Sequence, residues 1–129
     1  MDGIQTMGVY GYERVKSNDE IELLRAVRLQ GPITVMFQVS ADFISYKGGI
    51  YEGSPACLSK DAITHSLLIV GYDTDPATNE DYWIALNSWG VGWGEKGYVR
   101  IRRGSNVCGL ASCATYPVNL IDPALEPKR

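Results

Sequence analysis

His65 is the only histidine in the chain, and it opens an apolar run from Leu67 to Tyr72. Asn87-Ser88-Trp89-Gly90 follows, trailed by Trp93-Gly94 and Gly97-Tyr98. A neutral imidazole takes a proton at one ring nitrogen when a partner holds the other. A buried amide oxygen is such a partner. Unlike a carboxylate it adds no charge, which suits a site where a thiolate–imidazolium pair already carries two. The residue types and their order point to the base-supplying half of a hydrolase, with nothing upstream that looks like its nucleophile. The plainer alternative is a packed structural histidine. Against it stands Asn87, on the strand expected to return beside His65 in a hairpin. Trp89, laid over a His–Asn hydrogen bond, would exclude water and stiffen the pair. Trp93 fits equally well as a core aromatic. Gly90, Gly92 and Gly94 let the backbone turn tightly around these rings.

The elements that must position these residues are one helix and a succession of strands. Val9 to Lys16 alternates as a strand. Ser17 lies three residues before Glu20, a capping-box spacing, and predicts a helix over 18–30. Its expected apolar stripe is Ile21, Leu24 and Val27, widened by Leu23 and Ala26. Gly31-Pro32 ends it. Ile33 to Val39 is a β-rich run, 42–46 a short helical turn, and 66–72 a buried strand with His65 at its start. Residues 73–80 form a polar hairpin loop, and 82–87 return. Strands over 97–103 and 113–117 complete an α+β domain. It is mainly antiparallel β, a partly closed barrel with one main helix.

The totals agree with this. A chain of 129 residues, 45% hydrophobic with net charge −3, is one globular domain by length. Charges are interspersed, and no basic run suggests nucleic acid or an anionic membrane. The longest apolar stretch, Leu67 to Val70, is far too short to span a bilayer. Met1-Asp2-Gly3 does not open a signal peptide, and the Met1 start favours a translated unit over a proteolytic product. Three cysteines, Cys57, Cys108 and Cys113, allow one disulfide and one leftover thiol in an oxidising compartment.

The chain resembles the papain-like cysteine peptidases, the family of cathepsin L. The resemblance is carried by Gly31-Pro32, Phe43, Tyr46, Gly49-Ile50-Tyr51 and Cys57, then His65 and Val70-Gly71-Tyr72. It continues through Tyr82-Trp83, Asn87-Ser88-Trp89-Gly90, Trp93-Gly94-Glu95, Gly97-Tyr98, Cys108-Gly109-Leu110 and Tyr116-Pro117. It covers residues 9–118, leaving an irregular segment at 1–8 and a loose tail at 119–129. It implies a two-lobed fold with the cleft between the lobes, of which this chain looks like the β-rich C-terminal lobe. The family's nucleophilic cysteine lies on a helical N-terminal lobe, and no cysteine precedes Cys57 here. That lobe is therefore the expected partner.

By the same resemblance, His65 is general base and acid and Asn87 orients it. Cys57 and Cys108 form a disulfide, worth about 4 kcal/mol for a loop of about fifty residues. A direct Cys57–His65 pair is the competing use of that cysteine. Met36, Ile63, Ser66 and Cys113 would line the pocket for the second side chain before the scissile bond (S2), an apolar pocket without an acid. A buried core thiol is the alternative for Cys113. Trp89 would border the leaving-group side. Thr64 and Leu86 depart from the residues usual in relatives, Asn or Asp and Lys. The implied ligand is a peptide or protein substrate, with no cofactor and no metal, in a lysosomal or extracellular setting. Two other functions remain open: a non-catalytic peptide-binding or regulatory module, and a structural remnant. In every case an unpartnered cleft face around Trp89, Leu86 and the His65 strand is expected to be apolar and to favour self-association.

Overall fold

The computed structural model describes residues 10–119, so the expectations for 1–8 and for nearly all of the tail lie outside it. Seven strands form one sheet: β1 (Tyr10–Arg14), β2 (Ile33–Val39), β3 (Ile50–Tyr51), β4 (Ile63–Thr74), β5 (Asp81–Leu86), β6 (Tyr98–Arg102) and β7 (Ala114–Asn119). They lie in the order β1-β7-β2-β4-β5-β6-β3. All pairings are antiparallel except that of β3 with β6. Helices α1 (Glu20–Gln30) and α2 (Ala41–Ile44) and two 3-10 turns, Pro55–Leu58 and Val107–Gly109, complete the elements of the described residues. The α+β, mainly antiparallel character matches the sequence reading. Among the described residues the partial barrel closure does not form. β1 and β3 remain separate edges, and the two-residue β3 offers too few hydrogen bonds to join them.

Helix α1 starts later than the capping-box spacing implied. Asp19, not Ser17, is the N-cap, accepting from Ile21 N at 3.1 Å and Glu22 N at 3.0 Å. Gly31, at φ 93°, closes the other end with its N–H on the Val27 carbonyl. The buried face also differs, with Leu23 and Val27 inside and Ile21 74% exposed. Glu20 explains the rotation. Its carboxylate accepts from Trp83 Nε1 at 2.8 Å, Gly104 N at 2.9 Å and Asn106 N at 2.7 Å. With Glu20 turned to the sheet, its own helical face is Leu23, Leu24 and Val27, and Ile21 swings outward.

On β2, Ile33, Val35, Phe37 and Val39 point into the core, and Thr34, Met36 and Gln38 point away. β2 pairs with β4 along its whole length, from Ile33↔Ile69 to Val39↔Ile63. The β4–β5 hairpin is longer than predicted, so His65 lies within β4 rather than at its start. A bulge at Val70, between Ile69↔Ala85 and Gly71↔Ile84, shifts the alternation along it. Trp83, Ala85, Val99 and Ile101 extend the core across β5 and β6. Cys57 and Cys108 are joined, with Cα atoms 5.5 Å apart, tying the two 3-10 turns together.

Candidate active site

The β4–β5 hairpin sets the geometry. Leu68 pairs with Leu86, so Asn87, one residue beyond β5, continues the ladder toward His65 on β4. His65 Nε2 lies 2.8 Å from Asn87 Oδ1. Asn87 is anchored through its backbone, its N–H donating to the Gly97 carbonyl at 3.0 Å, and its side chain is buried. Gly97, at φ 95°, adopts a conformation that favours glycine, and a Cβ there would sit 3.3 Å from the Gly90 carbonyl oxygen.

Ser88 determines which way the Asn87 amide faces. Its backbone N–H donates to Asn87 Oδ1 at 2.7 Å. A flipped amide would set two donors against each other. Oδ1 is therefore an acceptor for both neighbours, and His65 Nε2 must carry the proton it donates. The neutral ring then has its lone pair on Nδ1, free to take a proton from a nucleophile. Asn87 Nδ2 is buried without a hydrogen-bond acceptor among the described residues. Asn87 lines a shallow cleft of about 230 Å³ with Ser66, Leu68, Leu86 and Ser88.

Trp89 stacks on His65, the ring centroids 5.0 Å apart and the planes 26° off parallel. It is held edge-on by Phe43 at 5.8 Å and Trp93 at 5.2 Å. Trp93 donates from Nε1 to the Ile44 carbonyl at 3.0 Å, fixing it to α2. It thus packs against the aromatic core and also buttresses Trp89. The supporting roles of Ser88 and Gly97 act through backbone groups, so no side-chain type announces them in the sequence.

The remaining candidates fall into two groups. Met36 and Ser66 are cross-strand partners on the outward side of β2 and β4. Met36 N–H donates to the Cys113 carbonyl at 3.1 Å, bringing Cys113 alongside. Ile63 does not join them by strand alternation. Its partner is buried Val39, so it leaves β4 on the same side as His65 and is 67% exposed. The Cys113 sulfur accepts from Arg14 Nη2 at 3.0 Å, a contact the sequence did not suggest. The disulfide removes the alternative of a Cys57–His65 pair. No cluster of three or more His, Cys, Asp or Glu able to hold a metal occurs among the described residues. No helix there is long and apolar enough to cross a membrane.

A second charged cluster braces the loop beneath Trp93. Arg100 grips Glu95 bidentately at 2.9 and 2.8 Å, and Glu95 also accepts from Gly49 N at 3.0 Å. The Arg100 hydrogen bonds hold the Glu95 carboxyl below its usual range, against the opposing pull of burial. Burial pushes the Tyr51 hydroxyl up to about 12.

Comparison with known proteins places this geometry. The sequence profile of the papain family of cysteine proteases matches residues 2–118. The chain is 44% identical over 104 residues to pro-cathepsin H of Bos taurus, covering 81% of this chain and 30% of that protein. It is 46% identical over 110 residues to a cathepsin L-like protein of Caenorhabditis elegans, covering 84% and 32%. Among solved structures, procathepsin L 3 from Tenebrio molitor larval midgut superposes with TM-score 0.76 at 41% identity, covering 84% of this chain and 34% of that one. Bromelain from Ananas comosus, in complex with the E64 inhibitor, gives TM-score 0.74 at 38% identity, covering 84% and 50%. The chain thus spans about a third of the length of the curated relatives it matches.

Proposed function

The chain belongs to the papain family of cysteine proteases, and on that premise we propose that it supplies the proton-handling half of a proteolytic site. The nucleophilic thiol comes from a helical lobe outside these residues. The observation that carries this reading is the pair of contacts on Asn87 Oδ1, from the Ser88 N–H and from His65. The His65 Nε2–H is committed to Asn87 Oδ1, and Nδ1 is left to face the incoming sulfur. His65 Nδ1 withdraws the thiol proton, and the resulting imidazolium pairs with the thiolate. The thiolate attacks the peptide carbonyl, and His65 returns the proton to the leaving amine. A water then hydrolyses the acyl-enzyme, with His65 again as base. Asn87 holds the ring through both steps, and the Trp89 stack keeps water off the hydrogen bond.

Two features support a partner lobe. Asn87 Nδ2 is buried without an acceptor among the described residues, which costs about 1–3 kcal/mol unless one is supplied. The cleft beside it is floored by Leu68 and Leu86, a surface suited to packing. Met36, Ser66 and Cys113, side by side, support an apolar S2 pocket, and exposed Ile63 adds to the cleft edge. The disulfide fits an oxidising compartment, lysosomal or extracellular.

The test is complementation. This chain, a cysteine-bearing helical lobe of the family, and their mixture are each assayed on a fluorogenic peptide with Phe at the S2 position. Cleavage by the mixture alone, abolished by His65→Ala, is the expected result. Cleavage by this chain alone overturns the assignment. Peptide binding without cleavage in any arm would instead favour a binding module.

A further inference from the structure

The leaving-group side of the cleft carries a feature that the proteolytic mechanism does not use, and its interpretation rests on that proteolytic reading. Trp89, stacked on His65, meets Trp93 edge-on at 5.2 Å. Beyond Trp93 a cleft of about 360 Å³ opens, walled by Trp93, Ile44, Lys47, Gly92 and Gly94. Trp93, which lines it, packs on Trp89, and Trp89 on His65. At about 3.3–3.6 Å per extended residue, ring-to-ring steps of 5.0 and 5.2 Å correspond to the third residue after the scissile bond.

The polar groups around this cleft are engaged, with one exception. Trp93 Nε1 donates to the Ile44 carbonyl, the Ser45 hydroxyl donates to the Asp42 carbonyl, and the Tyr46 hydroxyl donates to the Gly49 carbonyl. Glu95, which reaches Gly49 N, has its charge matched by Arg100. Lys47 is exposed at the rim, and no carboxylate pairs with it among the described residues. An apolar aromatic wall beside an uncommitted ammonium suits a side chain with a short apolar stem and an anionic tip.

We infer that this cleft is a subsite for the third residue after the scissile bond, and that Lys47 selects an acidic side chain there. Electrostatic attraction at an exposed rim is modest and screened by salt. The effect belongs to specificity, not to the chemical step.

The test uses the assembled enzyme, this chain with its helical partner lobe. The substrates are internally quenched, C-terminally amidated peptides differing only in Asp, Ala or Lys at the third position after the cut. The expected order of kcat/KM is Asp above Ala above Lys, with Asp over Lys by about fivefold at low salt. Lys47→Glu should reverse the order. Gly92→Leu is a second variant. A Cβ at Gly92 meets nothing within 4 Å, so leucine fills the cleft without a backbone clash. It should lower kcat/KM for all three peptides and erase their ranking. Equal rates, or a ranking unmoved by Lys47→Glu, overturn the inference while leaving proteolysis intact. If no peptide is cleaved, the proteolytic reading fails, and binding of the same peptides to this chain, followed by tryptophan fluorescence, decides the subsite. Tighter binding of the Asp peptide that Lys47→Glu abolishes sustains it. Indistinguishable affinities reject it.

Discussion

At the scale of the residue, a backbone N–H settles the chemistry of an imidazole. Ser88 turns the Asn87 amide, the amide selects the His65 tautomer, and the tautomer decides which nitrogen meets the substrate side. Nitrogen-15 spectra of the isolated chain near pH 8 should show His65 protonated at Nε2 and bare at Nδ1. The opposite tautomer would contradict the assignment. In the assembled enzyme, His65→Ala should cost at least about a thousandfold in kcat/KM, the scale of a lost general acid–base. Asn87→Ala, which frees the ring to rotate, should cost on the order of a hundredfold. The His65, Asn87 and Trp89 set was legible in the sequence because those side chains name their own chemistry. Ser88 was not, because it acts through a group that every non-proline residue carries. Glu20 was misread for a related reason. Its spacing from Ser17 suggested a local cap, but its partners, Trp83, Gly104 and Asn106, are distant in sequence.

At the scale of the element, two carboxylates fasten helix and loop to the sheet. Glu20 ties the start of α1 to β5 and to the turn after β6. Glu20→Ala strands three donors, one on fully buried Trp83, and should lower unfolding stability by about 2–3 kcal/mol in urea titration. Glu95 holds the β3 approach to β6 through Gly49 and Arg100. Its folded pKa is depressed below 4.5. Its contribution is therefore full above about pH 4.5 and is lost as pH falls through the lower folded value. Urea midpoints measured from pH 6 to pH 3 should fall more steeply for the wild type than for Glu95→Gln. Equal slopes would remove Glu95 from the account. Periodicity revealed α1, β2, β4 and β5, because their repeats are long. It missed β3, whose two residues are defined only by a parallel neighbour distant in sequence, and the bulge at Val70, which no residue type marks. The open sheet was equally hidden, since closure depends on which edges meet.

At the scale of the whole molecule, the described residues carry exposed apolar side chains that the proposed helical lobe would partly cover. Met36, Val70, Trp89, Val91 and Tyr98 are exposed, as are Tyr12, Ile21, Leu29, Ile44, Leu58 and Ile63. Light scattering across concentration should show self-association of the chain alone, relieved by the helical lobe; a monomer at every concentration would mean that this surface needs no cover. Membership of the papain family was legible from the motif series; dependence on sulfur from elsewhere belongs to the proposed function. What the motifs could not convey was that Asn87 Nδ2 is buried without an acceptor among the described residues, where the proposed lobe would bring one. The most direct measurement is the rate at which iodoacetamide alkylates the partner lobe's cysteine at pH 6, with and without this chain. A free thiol, with a pKa near 8.5, is almost wholly protonated there, whereas pairing with an imidazolium makes it a thiolate. The rate should rise by about a hundredfold when the wild-type chain binds and stay flat with His65→Ala. An unchanged rate on binding of the wild-type chain would contradict the claim that His65 and Asn87 form the base of a thiol protease.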